Sequence, residues 1–491
     1  MGKARPPAAT STPPRHSMSI NSVSRSGSRF VSGNECLEAV QKQLGLYYKD
    51  FAETSAWLET GGFTEMSTAD SPQEPRFAAL VGIDWADKKH AWSLQPVGSD
   101  RRERGEIEHT PEAVESWIGM LSARFPGQAI AVAVEQSRGA LVCMLAKYAH
   151  LHVYPIQPRA AAQFRAALYP SGAKDDPVDA DLLLDLVVHH RAHLRPLQPD
   201  TQQTRLVQHL VEARRKLVNE KTRQVQRLTD KLKLYFPQVL DWFGKVDSPL
   251  VGALLQRWPT LEALQTARPR TLRSFLVQHN CRSQQLIDER LQKIPQAVAA
   301  IRDPAVIQSA VMMAQILAEL LATLHQGIAT LEEQIEEAAR AHPDFPIFDS
   351  FPGAGPALAP RLVAAFGSRR ERYVKADDMQ KFSGIAPVLE RSGKTQWVHF
   401  RWACPKFLRQ TFHEWAGHSI AFCDWARVYY EQQRKSGKDH HAAVRALAFK
   451  WIRIAFRCWQ DRVPYDDARY VASLRRRGSP LAAALAARNE A

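Results

Sequence analysis

The sequence predicts an α/β domain followed by mainly helical regions, and three observations carry that expectation. Leu80–Val81–Gly82–Ile83–Asp84 is an apolar run that ends in a carboxylate, the pattern of a buried strand delivering an acid to its C-terminal mouth. Strand-like and helix-like stretches then alternate to about residue 195, as expected of strands layered with helices. Beyond residue 200 the apolar residues recur with helical spacing, so the rest of the chain is read as helices. With 491 residues the chain is too long for one ordinary core, and two or three domains are expected.

Charge narrows the function. The 65 Lys and Arg against 51 Asp and Glu leave a net +14, as expected of a protein that handles polyanions such as nucleic acid. The six cysteines are scattered without a C-x-x-C pair, so neither a zinc site nor a disulfide framework is indicated, and a reducing cytoplasm fits. The longest apolar stretch, Ala305 to Leu324, is interrupted by Gln308, Gln315 and Glu319 and reads as a packed helix, with no membrane span expected.

Residues 1–75 are read as a disordered basic extension rich in Ser, Pro and Arg, with one short helix carried by Leu37, Val40, Leu44, Tyr47, Tyr48 and Phe51. The α/β pattern follows. Strands are expected at Phe77–Asp84 and His90–Pro96, with an edge strand around Arg104–Glu108 and a helix over Pro111–Phe125. A second buried strand, Ala129–Glu135, also ends in an acid, and a helix from about Ser137 to His150 comes next. A strand at His152–Ile156 leads to a helix over Arg159–Leu168 and then to Lys174–Asp175–Asp176–Pro177–Val178–Asp179.

In that last segment Pro177 suits the first turn of a helix, where its missing N–H costs nothing. Asp176 is then the N-cap, and Asp179 lies three residues on over the same face. Asp84, Glu135, Asp176 and Asp179 thus form a candidate metal tetrad in the order of an RNase H-like sheet. Hard carboxylate oxygens suit Mg²⁺, and two such ions about 4 Å apart can stabilise the attacking and leaving oxygens of a phosphodiester. The same acids would also serve as an ordinary helix start and as turn residues, and Asp175 and Asp181 compete for the third and fourth places.

Residues 200–236 form a long basic helix in which Val211, Val218, Val225 and Leu232 recur every seven residues, a coiled-coil seam. Arg214 and Arg215 lie on its charged face and are candidate nucleic-acid contacts, although such a face is as often simply solvated. Further helices are expected through residue 340. The stretch from Asp349 to Gly367 has the form of a helix–hairpin–helix, whose glycines could let backbone N–H groups approach a phosphate. Downstream, Ser392 sits in a Ser–Gly turn between Arg391 and Lys394, with His399 and Arg401 following. Such a turn could place a serine nucleophile beside a phosphate, and is otherwise just a turn.

The order of GIDWADKKH, AVEQSRG, KDDPVDADLL, FPGAGPALAPRLVAAFG and FSGIAPVLERSGK resembles the IS-one-ten family of insertion-sequence transposases, the bridge-RNA-guided DNA recombinases. The likeness runs from about residue 77 to 460. It implies a RuvC-like DEDD domain over 76–195, a helical coiled-coil region over 196–340 and a mainly helical transposase domain over 341–465, with 466–491 left as a flexible basic tail. It carries the tetrad to Asp84, Glu135, Asp176 and Asp179, and the nucleophile to Ser392. It implies Mg²⁺, a phosphoserine link to DNA, a structured noncoding bridge RNA pairing with donor and target DNA, and subunits assembling as a dimer or tetramer. Arg391, Lys394 and Arg401 then become candidate nucleic-acid contacts. The segment Phe400–Arg409 departs from the family's usual pattern after the serine loop, although Arg401, Lys406 and Arg409 keep it basic. The rivals are a carboxylate-only nuclease or junction resolvase, and a non-catalytic nucleic-acid scaffold.

Overall fold

A computed structural model describes residues 76–168, 176–393 and 395–489. The expected N-terminal extension, Asp175 and Lys394 lie outside the described residues, and of Asp176 only the backbone is described. Five strands form one sheet in the order β3-β2-β1-β4-β5: β1 (Phe77–Asp84), β2 (Lys89–Pro96), β3 (Glu103–Glu108), β4 (Ala129–Val134) and β5 (Leu151–Pro155). The first three pair antiparallel as a meander, while β4 lies parallel to both β1 and β5. Helix α1 (Pro111–Arg124) starts at a Thr110 cap and makes the crossover from β3 to β4.

Two apolar layers sandwich this sheet. On one face Ala79, Val81, Ile83, Val132 and Val134 pack against Val114, Trp117, Ile118 and Leu121 of α1. Helix α2 (Ala140–Leu145) adds Leu141 and Leu145. It is much shorter than the expected Ser137–His150 helix, because Gly139 adopts a φ of 127° that no helix accommodates, so Ser137 and Arg138 stay in a loop. On the other face Leu80, Ala131 and Ala133 meet Ala161 of α3 (Pro158–Leu168) and Leu182, Leu183 and Leu186 of α4 (Asp176–His189).

Helix α4 lies unusually close to β1. A Cβ on Gly82 would sit 2.2 Å from the Ala180 carbonyl oxygen and 2.4 Å from the Leu184 nitrogen, so only glycine lets the two backbones meet. Asp181 and Asp185, on the helix face turned toward the edge strand, take Arg104 and Arg102 as partners and hold α4 across β2 and β3.

Helix α5 (Gln202–Tyr235), capped by Thr201, leads out of this layer. Short helices α6 (Gln238–Phe243), α7 (Pro249–Arg257), α8 (Leu261–Gln265), α9 (Pro269–Gln278) and α10 (Gln284–Gln296) precede α11 (Pro304–Arg340). The long pair run antiparallel: Leu228 and Leu232 near the end of α5 share a core with Ala314, Leu317 and Leu321, whereas Val207 and Val211 at its start share one with Ile335. The predicted seam residues Val211 and Leu232 are therefore buried within the chain itself. By length and composition α11 could cross a membrane, and its inward stripe of Ala310, Ala314, Leu317 and Leu321 is packed against neighbouring helices.

The remaining helices build the largest core. They are α12 (Phe345–Asp349), α13 (Gly355–Phe366), α14 (Ala376–Phe382), α15 (Lys406–Phe422), α16 (Asp424–Lys435), α17 (His440–Asp461), α18 (Asp467–Arg476) and α19 (Pro480–Asn489). Trp415, Trp425, Trp451 and Trp459 are fully buried at its centre. The expected flexible tail over 466–491 is corrected, because Leu474, Leu481 and Leu485 of α18 and α19 pack into this core. Their apolar spacing was masked by the surrounding arginines and alanines. Gly353, in the turn between α12 and α13, has a φ of 73°, and a Cβ there would lie 2.8 Å from the Ser419 nitrogen. Close packing on α15 accounts for that glycine.

Gly82→Ala should displace α4 from the sheet, since backbone atoms block the new methyl on two sides. The expected loss is about 3 kcal/mol in denaturant unfolding, at the upper end of ordinary overpacking.

Candidate active site

The parallel register places two acids side by side. Ile83 pairs with Val134, so Asp84, the last residue of β1, and Glu135, the first beyond β4, stand at the same height on strands about 4.8 Å apart. Strand alternation puts Asp84 on the same face as Gly82, and Glu135 on the same face as Ala133, which is the face covered by α4. Asp179, one residue before the Ala180 carbonyl that touches Gly82, comes from the first turns of that helix and is 4% exposed. Asp176 opens the same helix, one helical turn from Asp179, rather than standing outside it as a cap.

The structure thus gathers the elements bearing the four acids at one end of the sheet. It does not gather their side chains into a finished cage: among the described residues no three His, Cys, Asp or Glu side chains form a metal-holding group. Asp179 is instead ion-paired with Arg165 of α3. Of the rivals, Asp181 is committed elsewhere, accepting from Arg104 Nε at 3.1 and 3.0 Å and from Nη2 at 2.6 Å. Burial works to raise its carboxyl, and the Arg104 hydrogen bonds and charge outweigh that and hold it below the usual carboxylate range.

Sequence reasoning passed over His90 and Arg165. His90 is fully buried on the opposite face from Asp84, where its Nδ1 accepts the Ala86 N–H at 3.2 Å. That tautomer leaves the proton on Nε2, which lies 2.8 Å from His109 Nδ1. Trp85 stacks over the His90 ring, with 6.5 Å between centroids. A neutral imidazole therefore holds the turn that immediately follows Asp84. Burial, helped by the His109 charge, pushes His90 down to about 4. The His at the end of GIDWADKKH was the available signal, and only the fold shows that its ring returns to that motif's own backbone.

The serine stands on a different core. Strands β6 (Val388–Ser392) and β7 (Thr395–His399) form an antiparallel hairpin that leaves the C-terminal helices, and Ser392 pairs with Thr395 at its exposed tip, where Gly393 takes a φ of 55°. On the same side of the ribbon as Ser392, His399 Nε2 and Glu390 Oε1 are hydrogen-bonded at 2.6 Å, while Arg391 projects to the other side. Arg401 donates to the carbonyls of Ala386 and Pro387 at 3.3 and 3.4 Å, tying the two ends of the hairpin together.

Arg214 and Arg215 are turned inward. Arg214 donates from Nε to Glu332 of α11 at 2.9 Å, and Arg215 lies 3.6 Å from Glu414 of α15. These pairs bind α5 to its neighbours: both guanidiniums expected on a solvated face meet carboxylates on α11 and α15, far away in sequence. Arg138, in the loop after Glu135, pairs in turn with Glu212 of α5 and links that loop to the long helix.

Two separate stretches of the chain match known families. Residues 81–237 match the family model for IS110-type DEDD transposases, described as "Transposase". Residues 346–431 match that of the "Transposase IS116/IS110/IS902 family". The chain is similar to a Streptomyces coelicolor protein provisionally named the mini-circle transposase for IS117, with 28% identity over 82% of this chain and 98% of that protein. It is also similar to the 43.6 kDa protein of insertion element IS110 from the same organism, at 27% identity over 79% of this chain and 95% of the relative. A 42 kDa protein of insertion element IS900 from Mycobacterium paratuberculosis is 26% identical over 63% of this chain and 77% of its own length.

His90 also gives this region a pH signature. Between pH 6.5, its ordinary value, and about 4, the unfolded chain binds a proton that the native His90 refuses, so stability falls as pH drops through that window. The slope from this group should reach about 1.4 kcal/mol per pH unit. Comparing unfolding of wild type and His90→Asn from pH 7 to 4 checks it: the variant should be less stable at pH 7 and lose that part of the slope.

Proposed function

Because the chain belongs to the IS110 family of transposases, enzymes that cut and rejoin DNA for insertion-sequence mobility, we propose that it does so through Ser392 with Asp84, Glu135, Asp176 and Asp179 as a Mg²⁺ site. The observation that carries this reading is the placement of Asp84 and Glu135 at matched register on one sheet face, with the α4 backbone pressed onto Gly82 beside them. The sheet order supports an RNase H-like fold for this part. The helical pair around Gly353 supports a helix–hairpin–helix only in outline, since Gly353 itself serves packing.

The four carboxylates fit a hard divalent cation in kind, and their backbones converge. The condition on that fit is that Asp179 leaves Arg165. Mg²⁺ bound there would neutralise charge on a phosphodiester oxygen as it develops. The Ser392 hydroxyl would attack phosphorus, forming an O–P bond as the bond from phosphorus to one DNA oxygen breaks, and the serine proton would pass to that leaving oxygen, which departs as a DNA hydroxyl. Attack by a DNA hydroxyl on the phosphoserine would reverse the exchange and release the serine. Two further elements follow from the family likeness and the net +14: a noncoding bridge RNA that pairs with donor and target DNA, and a cytoplasmic dimer or tetramer in which subunits share the site.

The test incubates the protein with Mg²⁺, labelled donor DNA and the RNA encoded beside its gene. A denaturing gel should show a protease-sensitive DNA adduct that both Ser392→Ala and Asp84→Ala lose. Cutting without an adduct, retained in Ser392→Ala, would transfer the function to a carboxylate-only nuclease; binding without cutting would leave a scaffold. Arg165→Ala supplies an independent check. The variant should melt lower without Mg²⁺, because Asp179 loses its partner, and should gain more than wild type in Tm when Mg²⁺ is added.

A further inference from the structure

Immediately after the serine hairpin, the chain presents an exposed aromatic surface that the chemistry above does not use. Trp402 is 76% exposed, far more than a large indole usually is. Its neighbour Phe400 meets it edge-on at 5.0 Å, and Phe400 is itself held by two guanidiniums, Arg409 at 4.5 Å and Arg445 of α17 at 5.3 Å. Arg409 also donates to the Arg401 carbonyl at 3.1 Å. Beneath the loop, a Cβ on Gly384 would lie 2.2 Å from the Cys404 sulfur, so the loop is seated on backbone with no space to spare. The exposed indole is therefore held on a braced loop in a basic setting, with Lys406 exposed close by.

We propose that Trp402, braced by Phe400, Arg409 and Arg445, is a stacking platform for an unpaired DNA base next to the strand that Ser392 engages. The inference deepens the reading given above and rests on its premise that DNA is handled at this hairpin. The chemistry favours a nucleobase over a protein surface. The exposed indole offers a π-face for stacking, and the basic segment that carries it, with Lys406 exposed, offers positive charge for the adjoining phosphates. The expected ligand is a single-stranded segment, because the bases of a duplex already stack on one another and cannot reach an isolated ring.

The experiment measures fluorescence anisotropy of a labelled single strand of about twelve nucleotides, within the range that such grooves bind, and of the matching duplex, using the full chain. Trp402→Ala should weaken single-strand binding about tenfold, leave duplex binding within about twofold, and keep the salt slope of the wild type, because stacking releases no counterions. Trp402→Phe should restore most of the affinity. Run without Mg²⁺, the binding assay requires no serine chemistry, so a failure of that chemistry and a failure of the platform are read separately. Unchanged single-strand affinity in Trp402→Ala would overturn the proposal, as would equal loss for single strand and duplex. A change in oligomer mass on sedimentation, with single-strand affinity unchanged, would also overturn it and assign the surface to a second copy of the chain.

Discussion

The contact between Gly82 and the backbone of α4 is the constraint on which the first part of the molecule depends. Helix and strand approach until a single methyl group would collide with a carbonyl oxygen and an amide nitrogen. That proximity brings the N-terminal turns of α4, with Asp179, level with Asp84. It also leaves no slack, so the helix must be pinned along its length, which Arg102 and Arg104 do through Asp185 and Asp181. The acidity of α4 thus divides by direction: Asp181 and Asp185 fasten the helix, and Asp179 faces the sheet end.

Charge elsewhere is used in the same way. A long helix rich in Arg and Lys suggests an open polyanion-binding face, yet Arg214 and Arg215 meet Glu332 and Glu414. Glu414 also accepts from Arg361, which is 6% exposed, so one carboxylate serves two guanidiniums from two helices. A buried arginine deprived of that partner would be left uncompensated, a far larger cost than the loss of a surface pair. This polar junction, where α5, α13 and α15 meet, fixes how the long helix enters the C-terminal core. One turn before Arg215, Glu212 pairs with Arg138 and holds the loop that follows Glu135. One helix thereby touches both the acid-bearing loop and the core that carries the serine hairpin.

Much of the sheet was legible because buried strands are written in short apolar runs. Phe77–Asp84 was read with its observed limits, and β2, β4 and β5 to within a residue or two. The helix after Glu135 was overextended because the apolar residues past Gly139 continue with helical spacing, while backbone conformation at the glycine decides where the helix can begin. The C-terminal helices are hidden in the sequence because arginines and alanines dilute the spacing of Leu474, Leu481 and Leu485, which only the folded core brings together. At the acid site the residue types were legible and the side-chain partners were not. That Asp179 pairs with Arg165, or that His90 turns back to the Ala86 amide, depends on segments that meet only after the sheet has closed.

The placement of Ser392 poses a mechanical problem that the loop after β7 resolves. An isolated two-stranded ribbon is at best marginally stable in water, and this one exposes apolar side chains on both sides, Leu389 and Val398 on one and Trp397 on the other. Its own ladder cannot hold a serine at a defined position. What can is its base, where Arg401 bonds the carbonyls of Ala386 and Pro387, Arg409 bonds the Arg401 carbonyl, and Cys404 fills the space left by Gly384. The arginines of this segment therefore act first on the protein's own backbone. Phosphate binding by Arg401 or Arg409 would have to be added to that bracing role or taken from it, whereas Trp402 and Lys406 stand exposed on the loop they brace.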